Sequence, residues 1–175
     1  MKYDTKIIQL IAAPGVGKST TAAGVFYHLK LAGFDVEIAS EYAKELTWHD
    51  RQLCMECQPY LFGKQLYRVE KLLGKVEFII TDSPLILSAF YAADKYPPSF
   101  KQFIVDTYKS LPNMNFLLER TKPYNPNGRN QTLEESKEIQ RKIIDILDTN
   151  GIVYERVKAN KDGVKYIVNK VESKI

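Results

Sequence analysis

Near its start the chain passes from an apolar run straight into a glycine turn that ends in lysine and serine: Lys6-Ile7-Ile8-Gln9-Leu10-Ile11-Ala12, then Ala13-Pro14-Gly15-Val16-Gly17-Lys18-Ser19. This feature restricts the fold more than any other. A run so short and so apolar suits a strand buried on both faces, as parallel sheets require. Residues 18–32 then follow helical spacing, with Ala22, Val25, Phe26 and Leu29 on one face and Gly33 as the stop.

The same alternation continues downstream. Asp35 to Ala39 reads as a second strand, and 41–74 as mostly helical, with Phe62, Leu66, Val69 and Leu73 in one stripe and Gln65, Arg68 and Lys71 pointing elsewhere. Val76 to Thr81 is a third strand. It ends in Asp82-Ser83-Pro84, where Ser83 is the expected N-cap and Pro84 the first helical residue. A helix from Ser99 to Lys109 follows the Pro97-Pro98 break, and Met114 to Leu118 is a fourth strand. Beyond a polar loop, Thr132-Leu133-Glu134-Glu135 forms a capping box opening a helix through Ile139, Ile143 and Leu147. Ile152 to Val157 is a fifth strand and Gly163 to Glu172 a terminal helix. Strands separated by helices pair in parallel through right-handed crossovers, which gives a three-layer α/β sandwich. We expect one domain over 1–175, with a short lid over 119–132.

Composition excludes several classes. With 175 residues, 45% hydrophobic and 26% charged, the chain is a soluble globular protein rather than a disordered, collagenous or coiled-coil one. Its net charge of +4 suits an anionic ligand but is too mild for a protein that coats nucleic acid. Two cysteines make no disulfide framework, so a reducing compartment is expected. Asp4 and the glycine turn spoil the superficial likeness of the N-terminus to a secretory signal, and no apolar stretch approaches the roughly 20 residues of a membrane span. The expected location is the cytoplasm.

Residues 12–19 match the phosphate-binding pattern GxxxxGK[ST], with Ala12 in place of the first glycine. Gly15 and Gly17 allow the backbone to ring a phosphate with N–H groups, and the helix that follows adds its positive end. Pro14, Gly15, Val16, Gly17, Lys18, Ser19 and Thr20 are therefore the candidate nucleotide-binding residues, with Lys18 on the β and γ phosphates and Ser19 on Mg²⁺. Asp82 ends the third strand, at the edge where such sheets bind ligands, and can hold Mg²⁺ or accept a proton from a substrate hydroxyl. Glu41, just past the second strand, can bind an acceptor hydroxyl or act as the base, and the residues leave open which carboxylate does so. Arg120 and Arg129 flank the lid, whose tip includes Tyr124, and suit charge neutralisation in phosphoryl transfer. Between strands two and three, Tyr60, Gln65 and Arg68 can line an acceptor pocket, Arg68 being available for a monophosphate, while Phe62 reads as core. Cys54-Met55-Glu56-Cys57 with His49 lacks the second cysteine pair of a zinc site and the context of a redox motif. His28 receives no role.

Gly15-Val16-Gly17-Lys18-Ser19, Ser40-Glu41-Tyr42-Ala43, Ile79-Ile80-Thr81-Asp82-Ser83 and the Arg120, Tyr124, Gly128-Arg129 segment together resemble small P-loop kinases of the NadR-like AAA family. The family includes nicotinamide riboside kinase domains and small phage-type proteins, and the resemblance covers about residues 5–158. It implies a nucleoside-and-nucleotide-kinase-like sheet in the order 2-3-1-4-5, an ATP–Mg²⁺ donor site and an arginine-bearing lid. It would place Glu41 and Asp82 near the acceptor and Arg120 and Arg129 on the transferring phosphate. Asp82-Ser83-Pro84 departs from the acidic-rich strand end of nicotinamide riboside kinases, which leaves the acceptor open.

Three functions fit these residues. One is a phosphotransferase moving the γ-phosphoryl of ATP to a nucleoside or nucleoside monophosphate. Another is a kinase of polynucleotide ends or modified DNA bases, disfavoured because no run of cations interleaved with aromatics marks a strand-binding groove. The third is a regulatory ATPase without an acceptor. The expected partner is a small molecule, without a membrane, and a homodimer is left open.

Overall fold

In the computed structural model the apolar runs become one ladder of parallel strands. The structure describes residues 2–49, 52–92, 94, 96–125 and 132–173. The elements run β1 (Lys6–Ile11), α1 (Lys18–Leu31), β2 (Val36–Ile38), α2 (Tyr42–Trp48), α3 (Gln52–Met55), α4 (Gln58–Glu70), β3 (Phe78–Thr81), α5 (Leu87–Tyr91), α6 (Pro98–Ser110), β4 (Asn113–Glu119), α7 (Leu133–Thr149), β5 (Glu155–Lys158) and α8 (Lys161–Glu172). The five strands lie in the order β2-β3-β1-β4-β5, as expected, and every neighbouring pair is parallel.

β1 is central, with Ile8 opposite Ile80 on one side and Met114 on the other. Its apolar run is explained by burial on both faces, since Ile7, Ile8, Leu10 and Ile11 are all fully buried. Ile7 and Ile79 pack with Val69 of α4 and with Ala39, whereas Ile8, Leu10 and Ile80 belong to the main core. Ile7 and Ile79 thus face a smaller apolar cluster, while Ile8 and Ile80, on the opposite face, join the main one. A central β1 also delivers its loop to the middle of the C-terminal edge, where parallel α/β sheets bind ligands.

Several expected boundaries move because backbone groups are spent elsewhere. β3 begins at Phe78 rather than Val76, since the Val76 carbonyl accepts a 2.5 Å bond from the buried Thr5 hydroxyl. β5 begins at Glu155 rather than Ile152, because Ile152 N–H closes the end of α7 on the Leu147 carbonyl and the Val153 carbonyl accepts from Asn115. Ser83 is not a helix cap. Its N–H donates to the Thr81 hydroxyl, the chain turns through residues 84–86, and α5 starts only at Leu87. Gln65, expected off the apolar stripe of α4, is buried with Phe62 and Val69. The capping box at Thr132 forms as expected, both of its hydrogen bonds being present.

The terminal helix starts at Lys161, before Gly163, because the Asn160 side chain caps it by accepting from Gly163 N–H at 2.9 Å. That cap presses Gly163 against the end of β5, where an added Cβ would lie 1.8 Å from the Lys158 carbonyl oxygen. Gly163→Ala is therefore expected to destabilise the protein by about 3 kcal/mol, a fall in Tm of roughly 6–12 °C by thermal melting. A melt within about 1 °C of the parent would show that β5 and α8 are packed less closely than this.

Candidate active site

Parallel pairing brings three chain segments to one edge: the loop after β1, Glu41 after β2 and Asp82 after β3. In the loop, Gly15 (φ 75°) and Gly17 (φ 123°) occupy the left-handed region that a side chain would strain. A Cβ at Gly17 would also crowd the Cβ of Ala159 at 3.2 Å. Gly17 leads directly into α1, so the unpaired N–H groups of a helix N-terminus open at the loop. Lys18 folds back on the loop, its ammonium donating to the carbonyls of Ala12 at 2.8 Å and Ala13 at 3.2 Å. Ser19 and Thr20 are exposed in the first turn.

Asp82 is buried at 7% exposure, and its Oδ2 accepts from the Ser19 hydroxyl at 2.6 Å. Its Oδ1 is buried without a hydrogen-bond partner among the described residues. A buried carboxylate oxygen left unsatisfied beside a serine hydroxyl is a set of hard oxygen donors, and it fits a small divalent cation such as Mg²⁺. Ser19 and Asp82 are the residues that would hold it.

Glu41 is half-buried and is the N-cap of α2, yet its side chain makes no capping hydrogen bond. Burial raises its carboxyl above the ordinary glutamate value; the Lys18 ammonium opposes the rise, Asp82 adds to it and Lys44 opposes it. Tyr91, at the end of α5, feels the same carboxylate: burial, then Glu41, push its phenol up to about 12. Nothing in the sequence marked it, since α5 starts later than its apparent cap suggested.

The first N–H of α2 is satisfied from another element, by Gln65. Its Oε1 accepts from Tyr42 N–H at 3.1 Å, and its Nε2 donates to the Ala39 carbonyl at 3.4 Å. Arg68 braces the same segment, donating to the Ser40 carbonyl and hydroxyl at 3.0 Å each and to Glu45 at 2.6 Å, with its guanidinium 5.0 Å from the Tyr42 ring centre. Tyr60 meets Tyr42 through their hydroxyls at 2.6 Å, and Phe62 is core. Gln65 and Arg68 therefore hold the segment that presents Glu41.

Arg120 sits behind the loop. It donates to the Gly15 carbonyl at 2.6 Å and to the Ser136 hydroxyl at 2.7 Å, and lies 5.0 Å from the Tyr124 ring centre. Two α7 residues that the sequence reading missed join it, Ser136 and Gln140. Ser136 donates to the Pro14 carbonyl at 2.8 Å, and Gln140 accepts from Ala13 N–H at 2.7 Å. The buried stripe of α7 runs Ser136, Ile143, Leu147, so the available signal was a small polar residue in a core register. Arg129 lies outside the described residues. Cys54 is half-buried on α3, Cys57 is exposed just before α4, and the two are not bridged. Among the described residues no helix is long and apolar enough to cross a membrane.

No curated protein matches the chain. Among solved structures, deoxyadenosine kinase from M. mycoides, determined with its products dCMP and dCDP bound, is similar at a TM-score of 0.52 and 17% identity, covering 98% of this chain and 100% of its own. At that identity the likeness shows the fold, which is that of a P-loop kinase. A family model described as an AAA domain matches residues 7–162, which span the sheet, the phosphate loop and every candidate residue discussed above, and the chain therefore belongs to this AAA domain family.

Proposed function

We propose that the protein is an ATP-dependent phosphotransferase that moves the γ-phosphoryl group to a hydroxyl of a small acceptor, a nucleoside or nucleoside monophosphate. The observation that carries this reading is the convergence of Lys18, Ser19, Asp82 and Glu41 at the ends of three adjacent strands. Such a set supplies a cation for the phosphates, oxygen donors for a metal and a separate carboxylate for the acceptor. Membership of the AAA domain family and the kinase fold support it.

The two carboxylates have different surroundings, which supports different roles. Asp82 is tied to Ser19 and has one oxygen to offer a cation. When bound, Mg²⁺ would offset the charge on the β and γ phosphate oxygens. Glu41 makes no cap bond, and its raised proton affinity makes it a better base for an acceptor hydroxyl than an ordinary glutamate. In this reading Glu41 takes the hydroxyl proton, Lys18 leaves the Ala12 and Ala13 carbonyls for the phosphates, and Tyr91 stays protonated beside Glu41.

Transfer of label from [γ-³²P]ATP to a panel of nucleosides, monophosphates and oligonucleotides tests the proposal. Label on a nucleoside or monophosphate is expected; label only on oligonucleotides, or hydrolysis with no acceptor labelled, overturns it. Lys18→Ala is expected to lower transfer by roughly 10²-fold or more. Arg68→Ala loosens the segment that presents Glu41 and is expected to lower kcat for nucleosides and monophosphates alike; a rise in KM confined to monophosphates would instead mark Arg68 as their phosphate contact.

Glu41 also yields a pH test whose sign is fixed. A base with a raised pKa loses activity on acidification sooner than an ordinary glutamate would, so the acid limb of kcat/KM is expected above pH 4.5, glutamate's usual value. Glu41→Gln is expected to lower kcat by roughly 10²–10⁴-fold and to remove that limb. Stability moves the other way. The folded state binds the Glu41 proton more tightly than the unfolded chain does, so the ionised carboxylate weakens the fold once pH rises through its folded pKa. Glu41→Gln is therefore expected to raise the Tm at neutral pH, with the gain vanishing below the ordinary glutamate range; an unchanged or lower Tm at pH 7 would show that Glu41 is not a desolvated charge.

A further inference from the structure

A peptide unit points its C=O and its N–H in opposite directions, so whatever holds a loop's carbonyls decides where its N–H groups face. A phosphate cradle needs its N–H groups inward, and the carbonyls behind it need donors of their own. In this chain Lys18 serves the Ala12 and Ala13 carbonyls, and the donors for the Pro14 and Gly15 carbonyls come from outside the loop. The Pro14 carbonyl accepts from Ser136 at 2.8 Å, and the Gly15 carbonyl from Arg120 at 2.6 Å. Ser136, fully buried, also accepts from Arg120 at 2.7 Å, so one hydroxyl joins the guanidinium to the loop. Gln140, one turn further along the same face of α7, accepts from Ala13 N–H at 2.7 Å and donates to the Leu118 carbonyl of β4 at 3.2 Å.

We propose that Ser136 and Gln140 are positioning residues of the phosphate loop: with Arg120 they fix the peptide planes at Ala13, Pro14 and Gly15, and so aim the N–H groups of Gly15 and Val16 at the bound phosphate. The inference rests on the nucleotide-binding reading above. The peptide that carries the Pro14 carbonyl carries Gly15 N–H, and the one that carries the Gly15 carbonyl carries Val16 N–H. Ala13 N–H is already consumed by Gln140, and Pro14 has none. Phosphate recognition thus begins at Gly15, the unit that Ser136 and Arg120 orient.

Titration with a fluorescent N-methylanthraniloyl ATP and Mg²⁺, at a temperature where circular dichroism shows each variant folded, tests this. Ser136→Ala and Gln140→Ala are each expected to weaken binding by roughly tenfold, and Lys142→Ala, on the exposed face of the same helix, by less than about twofold. The Arg120→Ala/Ser136→Ala double variant is expected to lose less than the product of the single losses, because both groups serve the Pro14–Gly15 unit. In ¹⁵N spectra the nucleotide-induced shifts of the Gly15 and Val16 amides are expected to shrink in Ser136→Ala, which a role in docking α7 alone would not produce. Should Ser136→Ala fail to fold, Gln140→Ala, at a half-buried position, decides. Parent-like affinity in the folded α7 variants, with Lys18→Ala impaired, overturns the inference and leaves the nucleotide reading standing. A parent protein that binds no nucleotide overturns that reading itself.

Discussion

The 2.6 Å hydrogen bond from Ser19 to Asp82 joins the first turn of α1 to the end of β3, and it depends on the same parallel sheet that places the rest of the site. It can exist only because β1 and β3 are parallel and in register, with Gln9 opposite Thr81, so both strands end at the same edge. Antiparallel pairing would put the glycine loop and the carboxylate at opposite ends of the sheet. The bond satisfies one Asp82 oxygen and leaves the other buried without a partner among the described residues. Such an arrangement is costly in the free protein, and a cation bound there, as proposed, would recover that cost.

Polar residues placed in core registers serve both edges of the sheet, Gln65 and Ser136 at this one and Thr5 at the opposite one. Thr5 bonds Gly74 N–H and the Val76 carbonyl, Gln65 bonds Tyr42 N–H and the Ala39 carbonyl, and Ser136 bonds the Pro14 carbonyl. Each is buried and each serves backbone groups that lie outside helix and strand ladders. The loops at the ends of a parallel sheet cannot satisfy their own N–H and C=O groups, so side chains from neighbouring elements must do so. A binding edge made of loops is held rigid by this means rather than by apolar packing.

This division explains what could be read from the chain alone. Strand number, parallel pairing, the glycine loop, the capping box at Thr132 and the carboxylates after β2 and β3 follow from apolar runs, glycine positions and local spacing. These are local or periodic signals. Strand starts at Phe78 and Glu155 were misplaced because Thr5 and Asn115, far away in sequence, compete for the flanking carbonyls. Ser83 was misread as a cap because the Thr81 hydroxyl reaches its N–H first. Gln65 reads as an acceptor-pocket residue because a glutamine at a core register looks like a break in the apolar stripe, and only the fold shows the N–H and carbonyl it satisfies. Ser136, Gln140 and Tyr91 carry no motif at all; their meaning lies in what they face.

Glu41 shows how these constraints combine. A helix N-cap is normally Ser, Thr, Asp or Asn, whose side chain is consumed by the first turn. Here the cap position holds a glutamate that makes no such bond, and Gln65 of α4 satisfies Tyr42 N–H instead. Arg68 fixes the preceding residue through the Ser40 carbonyl and hydroxyl, and Glu45 balances its charge. The outcome is a carboxylate on a rigid helix start, desolvated enough to hold its proton more tightly than usual and not tied to its own helix. Gln65 thus supports the start of α2 without drawing on the Glu41 carboxylate, which is left available for the role proposed for it.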